Sequence, residues 1–138
     1  MHAIMANARV MIVDDSAMMR MLLTSIVGKV PGATVVATCE NGMVALQQLA
    51  SARPTLILSD IEMPVMDGLT FLRQARARTQ ASIIILSSVA NAGNPNVDKA
   101  RALGANAVLA KPSGSTSYDL EEKLGAHIQR LVKAYGAV

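Results

Sequence analysis

The sequence predicts one α/β domain built on a mainly parallel sheet, and three observations carry that prediction. Five short aliphatic runs alternate strictly with five segments of helical spacing. The runs are continuous rather than alternating, as in strands whose two faces are both covered by helices. The 138 residues, 51% of them hydrophobic, suit a single domain with a sizeable core and exclude a disordered chain.

Residues 10–13 are the first strand. Met18, Met19, Leu22, Leu23, Ile26 and Val27 form the first helical stripe, which Val30-Pro31-Gly32 ends. Residues 34–37 are the second strand, with Cys39 at its end as a small buried apolar residue. Asn41-Gly42 turns the chain into a second helix carried by Val44, Ala45, Leu46 and Leu49. Residues 56–58 form the third strand, and Asp67-Gly68 precedes a helix on Leu69, Leu72 and Ala75. Residues 83–86 are the fourth strand. Asn94-Pro95 reads as an N-cap with proline at the first helical position, and Gly104 as that helix's stop. Residues 107–109 are the last strand; Leu120, Leu124, Ile128, Leu131 and Tyr135 then mark the last helix. With 2% aromatic residues (Phe71, Tyr118, Tyr135) the core is aliphatic, and the nine methionines are expected as filler, chiefly in the first helix.

Several function classes fall away. The strongest apolar run, residues 83–86, is far short of the roughly 18 residues of a membrane span. The N-terminus lacks the basic and apolar regions of a signal peptide. Cys39 is the lone cysteine and has no internal disulfide partner, which suits a reducing cytoplasm. Thirteen Lys and Arg against ten Asp and Glu give only +3, with the basic residues scattered. The densest group, Arg73, Arg76 and Arg78, reads as a solvated helix end, so neither nucleic acid nor membrane is expected as a partner.

The acids are more telling. Asp14, Asp15, Asp60, Glu62 and Asp67 are half the total and fall in two short segments. Asp14-Asp15 follows the first strand and Asp60 the third; in an open parallel sheet these strand ends share one edge, where ligands bind. If strands one and three are neighbours, three carboxylates converge and raise each other's pKa values. A hard divalent cation such as Mg²⁺ relieves that repulsion, accepting one or two carboxylates, waters and a phosphate. Ser87-Ser88 and Lys111-Pro112 reach the same edge. Three carboxylates, one ammonium and one Mg²⁺ sum to zero, and the cations would meet the oxygens of an incoming phosphoryl group. Blander readings exist for each piece: the Asp pair as a helix cap, the serines as loop hydroxyls, Lys111 as a surface residue, His127 as a packing or surface residue.

The ordered set Val13-Asp14-Asp15-Ser16, residues 60–68 (DIEMPVMDG), Ser87-Ser88, Gly104-Ala105 and Lys111-Pro112 resembles the receiver domain of two-component response regulators. The likeness spans roughly residues 8–135. It implies a flavodoxin-like (CheY-like) three-layer sandwich, five parallel strands in the order 2-1-3-4-5 with five helices. Residues 1–8 would be an N-terminal tail and 9–136 the receiver, with no output domain. By the same likeness Asp60 is the phosphoacceptor, supplied by a sensor histidine kinase or phosphotransfer protein. Asp14, Asp15, Asp60 and the backbone carbonyl of Glu62 would hold Mg²⁺. Ser87, Ser88 and Lys111 would bind the phosphoryl oxygens, with a cis bond before Pro112 aiming Lys111 inward. Asp67 is expected to cap a helix, and Glu62 to influence hydrolytic water.

Where many receivers carry a switching aromatic, this chain has Val108, so a muted response and an unidentified downstream partner are expected. The motifs around residues 14–20, 60–64 and 111–114 look most like the regulatory domain of chemotaxis methylesterases. No G-x-S-x-G stretch is present, so no enzyme activity is expected beyond Mg²⁺-dependent self-phosphorylation and self-dephosphorylation; the alternative is an excised methylesterase regulatory domain. A haloacid-dehalogenase-type phosphatase fits poorly: its acids are spaced D-x-D, whereas Asp14 and Asp15 are adjacent.

Overall fold

Each aliphatic run pairs in parallel with its neighbours, because a helix intervenes between every two strands and returns the chain to the same edge. The computed structural model describes residues 7–87, 95–111 and 117–136, with side chains from 121 onward in the last helix. The elements are β1 (Ala8–Val13), α1 (Ala17–Gly28), β2 (Ala33–Cys39), α2 (Gly42–Ala52), β3 (Leu56–Asp60), α3 (Gly68–Arg76), β4 (Ser82–Ser87), α4 (Pro95–Ala102), β5 (Ala107–Ala110) and α5 (Ser117–Tyr135). The sheet runs β2-β1-β3-β4-β5, the order that the sequence implied through its likeness. All four pairings are parallel.

Successive strand residues point to opposite faces, so each central strand feeds two cores. Val10, Ile12, Leu58, Ile84 and Leu86 meet α1 and α5 through Leu23, Ile26, Leu124, Ile128 and Val132. Met11, Val13, Ile57, Ile83 and Ile85 meet α2, α3 and α4 through Leu46, Leu49, Phe71, Leu72 and Ala100. Burying each such side chain contributes on the order of 1.5–3 kcal/mol. Caps set the helix starts: Ser16 accepts from the Met19 amide, Asn41 from Val44 and Asp67 from Thr70, at 3.2, 2.9 and 2.8 Å. Gly104, at φ 108°, takes the left-handed turn after α4.

Five expectations need correcting. β2 and β5 are edge strands and only partly buried, because each has a partner on one side alone. The methionines of α1 are not all filler: Met19 is buried, but Met18 and Met21 are 51% and 75% exposed. Consecutive residues point about 100° apart on a helix, so Met18 falls off the buried arc that Met19, Leu22 and Leu23 define. In α3 the buried arc is Gly68, Phe71, Leu72 and Ala75, with Leu69 only half-buried. Arg73 and Arg78 are exposed as expected, yet Arg76 is half-buried and binds the carbonyls of Gly104, Thr79 and Ala81. Burial pulls its pKa down. In α5, Val132 is buried where Leu131 is half-buried. No helix among the described residues is long and apolar enough to cross a membrane.

Candidate functional site

The sheet order makes β1 and β3 neighbours, with Val13 level with Ser59, so the residues that follow them share one edge. There Asp14, Asp15 and Asp60 each place a carboxylate oxygen within 4.8 Å of the others. Asp14 and Asp60 are buried and Asp15 is exposed. The Asp pair does not cap α1; Ser16 does, and Asp14 Oδ1 instead accepts from the Ser16 amide at 2.9 Å. Lys111 comes from the end of β5, held by its amide to the Ser87 carbonyl at 2.9 Å. Its ammonium lies 2.9 Å from Asp14 Oδ2 and 3.2 Å from Asp60 Oδ2. Ser87, buried, ends β4 at the same edge.

Asp60 is fixed on both sides. Its Oδ1 accepts from the amides of Ile61 at 2.8 Å and Glu62 at 3.4 Å, and Oδ2 faces Lys111. Burial pushes its pKa up; Lys111 pulls it down and Asp14 pushes it up again. Burial also acts to lower the Lys111 pKa, but Asp14 and Asp60 together outweigh it and leave it raised. Three carboxylates and one ammonium leave two negative charges, the deficit that one divalent cation fills. An all-oxygen donor set of this kind fits Mg²⁺.

Glu62 is exposed at the start of the β3–α3 loop, its amide turned toward Asp60. Asp67 sits apart as the α3 cap, as expected. His127 is exposed, and Cys39 is buried at the end of β2 with its thiol pushed by burial up to about 11. Val108 is half-buried in β5 against the α2–α4 core. Ser88 and Pro112, and with Pro112 the expected cis bond, lie outside the described residues.

Two residues escaped the sequence reading. Gly68 was legible only as a turn residue, yet a Cβ there would sit 2.3 Å from the Asp60 carbonyl oxygen. Arg20 was legible only as the last residue of the 14–20 motif, with no role attached, yet its Nη1 donates to the Asp14 carbonyl at 2.6 Å.

Residues 10–123 match the model of the response regulator receiver domain. The chain belongs to that family. Its fold is close to that of the response regulator domain of CheB from Thermotoga maritima, with TM-score 0.86, 29% identity, and coverage of 94% of this chain and 96% of that one. A chain in the crystal structure of the P1 domain of CheA3 in complex with CheY6 from R. sphaeroides matches at TM-score 0.76 and 46% identity, covering 94% and 97%. A protein-glutamate methylesterase/protein-glutamine glutaminase from Treponema denticola is 39% identical over 96% of this chain, but over 36% of its own length. One from Halalkalibacterium halodurans is also 39% identical, over 94% and 37%. This receiver thus spans about a third of the curated methylesterases it matches, and its likeness is to receivers of the chemotaxis type.

Proposed function

We propose that this receiver, taken as residues 9–136, accepts a phosphoryl group on Asp60 and thereby changes which protein it binds. The observation that carries the reading is the meeting of Asp14, Asp15 and Asp60 with Lys111 bridging two of them. The Asp60 carboxylate attacks the phosphorus of a phosphohistidine or a small phosphodonor. An O–P bond forms, the bond to the donor breaks, and the donor atom keeps the electron pair. The product is an acyl phosphate. Asp14, Asp15, Asp60 and the Glu62 carbonyl would hold Mg²⁺, which when bound supplies positive charge to the phosphoryl oxygens. Lys111 releases its pairing with Asp60 to contact a phosphoryl oxygen, and Ser87 and Ser88 donate hydroxyls. Glu62, exposed beside the acceptor, acts on the water that later hydrolyses the phosphate. Alignment and charge neutralisation suffice for such a transfer.

The donor is a sensor histidine kinase or phosphotransfer domain. The exposed large hydrophobics Met18, Met21, Met43 and Val65 support this. They lie in the first two turns of α1, at the start of α2 and in the β3–α3 loop, on the acceptor's side of the sheet. Adaptable methionines suit a docking rim. The buried, lone Cys39 suits the cytoplasm. Intact mass after acetyl phosphate and Mg²⁺ tests the reading. A labile adduct that disappears in Asp60→Ala and in EDTA supports it; a folded chain that neither binds Mg²⁺ nor gains the adduct overturns it.

A second reading, a regulatory domain excised from a methylesterase, is favoured by the partial coverage of those relatives. A reading frame that continues beyond Val138 into a hydrolase sequence would decide for it.

A further inference from the structure

We infer that Arg20 is a positioning residue for the cation site, fixing the peptide that joins Asp14 to Asp15. The inference rests on the receiver chemistry proposed for Asp14, Asp15 and Asp60.

All four polar groups of Asp14 are engaged. The amide donates to the Cys39 carbonyl at 3.0 Å, Oδ1 accepts from Ser16, Oδ2 from Lys111, and the carbonyl from Arg20 Nη1 at 2.6 Å. That carbonyl lies beyond the β1 ladder, which ends at Val13, and before α1, which begins at Ala17. Neither regular element supplies it with a donor, and a charged guanidinium does so instead. Arg20 is itself anchored, since its own amide donates to the Ser16 carbonyl at 3.0 Å. Side chain and backbone of one residue thus clamp both ends of the turn that carries the acidic pair.

The clamp matters most for Asp15. Its side chain is exposed, and among the described residues no hydrogen bond or ion pair holds its carboxylate. Its direction is therefore set through the backbone, and the Asp14–Asp15 peptide plane is what Arg20 fixes. Groups that orient metal ligands without touching the metal typically change affinity by about 10–100-fold when removed.

The guanidinium has an opposing effect, because a positive charge near the site repels a dication. If charge were its whole contribution, removing it would tighten Mg²⁺ binding. Positioning predicts weakening, so the sign of the change separates the two.

The test is calorimetric Mg²⁺ titration of the full chain, wild type against Arg20→Met and Arg20→Lys. Met keeps most of the stem and loses donors and charge; Lys keeps the charge and a single-point donor. Arg20→Met is expected to bind Mg²⁺ about tenfold more weakly, with Arg20→Lys between it and wild type. The Mg²⁺ needed for half-maximal phosphorylation should rise in step, while the rate at saturating Mg²⁺ stays near wild type. The Asp15 amide resonance should move in the metal-free Met variant. A folded Arg20→Met chain binding Mg²⁺ as tightly as wild type, or more tightly, overturns the inference. If the Met variant does not fold, Arg20→Lys carries the test, and affinity equal to wild type overturns it. Absence of Mg²⁺ binding in the wild type would instead overturn the receiver reading.

Discussion

Gly68→Ala should damage stability and phosphorylation together, because Gly68 packs directly on the backbone of Asp60, the proposed acceptor. Its amide donates to the Ile61 carbonyl at 2.7 Å. An added Cβ would lie 2.3 Å from the Asp60 carbonyl oxygen, 2.6 Å from Ile61 Cα and 3.0 Å from the Ile61 carbonyl oxygen. Comfortable contacts begin near 3.5 Å, so α3 or the Asp60–Ile61 peptide must move by about 1 Å. Overpacking against backbone costs about 1–3 kcal/mol, and stretching the Gly68–Ile61 hydrogen bond about 1 more. The sum, about 2–4 kcal/mol, should lower the urea midpoint by about 1–2 M. The same peptide carries the Ile61 amide that orients Asp60 Oδ1 at 2.8 Å. A displacement of about 1 Å at a reacting group is worth roughly 100-fold in rate. Urea unfolding and the acetyl phosphate reaction followed by intact mass read the two effects. Asp67→Ala is the comparison: it removes the α3 cap, costs about 1 kcal/mol and should leave the phosphorylation rate unchanged. A Gly68→Ala chain within 0.5 kcal/mol of wild type, as a rough bound for a surface change, would refute the packing argument. Lost stability with an unchanged rate would refute its link to Asp60.

Other outcomes follow from particular residues. Val65 is 78% exposed at φ 68°, in a γ-turn closed by the Met66 amide on the Pro64 carbonyl at 2.7 Å. Val65→Gly should relieve this backbone strain and stabilise by up to about 1 kcal/mol in urea unfolding; destabilisation would count against it. The Cys39 thiol, raised to about 11, holds its proton more tightly folded than unfolded. Stability should therefore fall as pH rises from about 8.5, the ordinary thiol value, to the folded value, and Cys39→Ala should remove that part of the slope. The raised pKa of Asp60 keeps more of it protonated at a given pH. In the metal-free protein the Asp60 carboxyl, followed by NMR, should then titrate above the ordinary Asp value of about 3.9, and titration at or below it would contradict the burial argument. With Val108 in place of an aromatic, amide shifts on phosphorylation should be small at Tyr135; large ones would exclude a muted switch.

Much of this was legible in the chain because it is local. Strands covered on both faces leave continuous aliphatic runs, and helices buried on one face leave apolar residues every three to four, so all five strands and five helices were placed within a few residues. Caps are equally local: Asp67, read as a cap, acts within three residues of itself, as do Asn41, read as a turn residue, and Ser16, which takes the capping role considered for the Asp pair. The order of the acids and Lys111 along the chain, with the resemblance it carries, was enough to name the candidate site.

Tertiary structure decided the rest, because it depends on which surfaces meet. Only the β1–β3 adjacency brings Asp14 and Asp15 to Asp60, and no local pattern within residues 8–60 says which strand lies beside which; the order came from the family likeness alone. Met18 and Met19 have the same composition signal but differ by a rotation of about 100° about α1, and only one faces the sheet. Arg76 reads as a solvated cation until α3 places it against the Gly104 carbonyl. Gly68 and Arg20 matter for a carbonyl each: one leaves room for that of Asp60, the other supplies a donor to that of Asp14. Every residue carries a backbone carbonyl, so no sequence pattern marks one that regular structure leaves without a partner or one that another chain segment must approach. That is settled by the folded path of the chain.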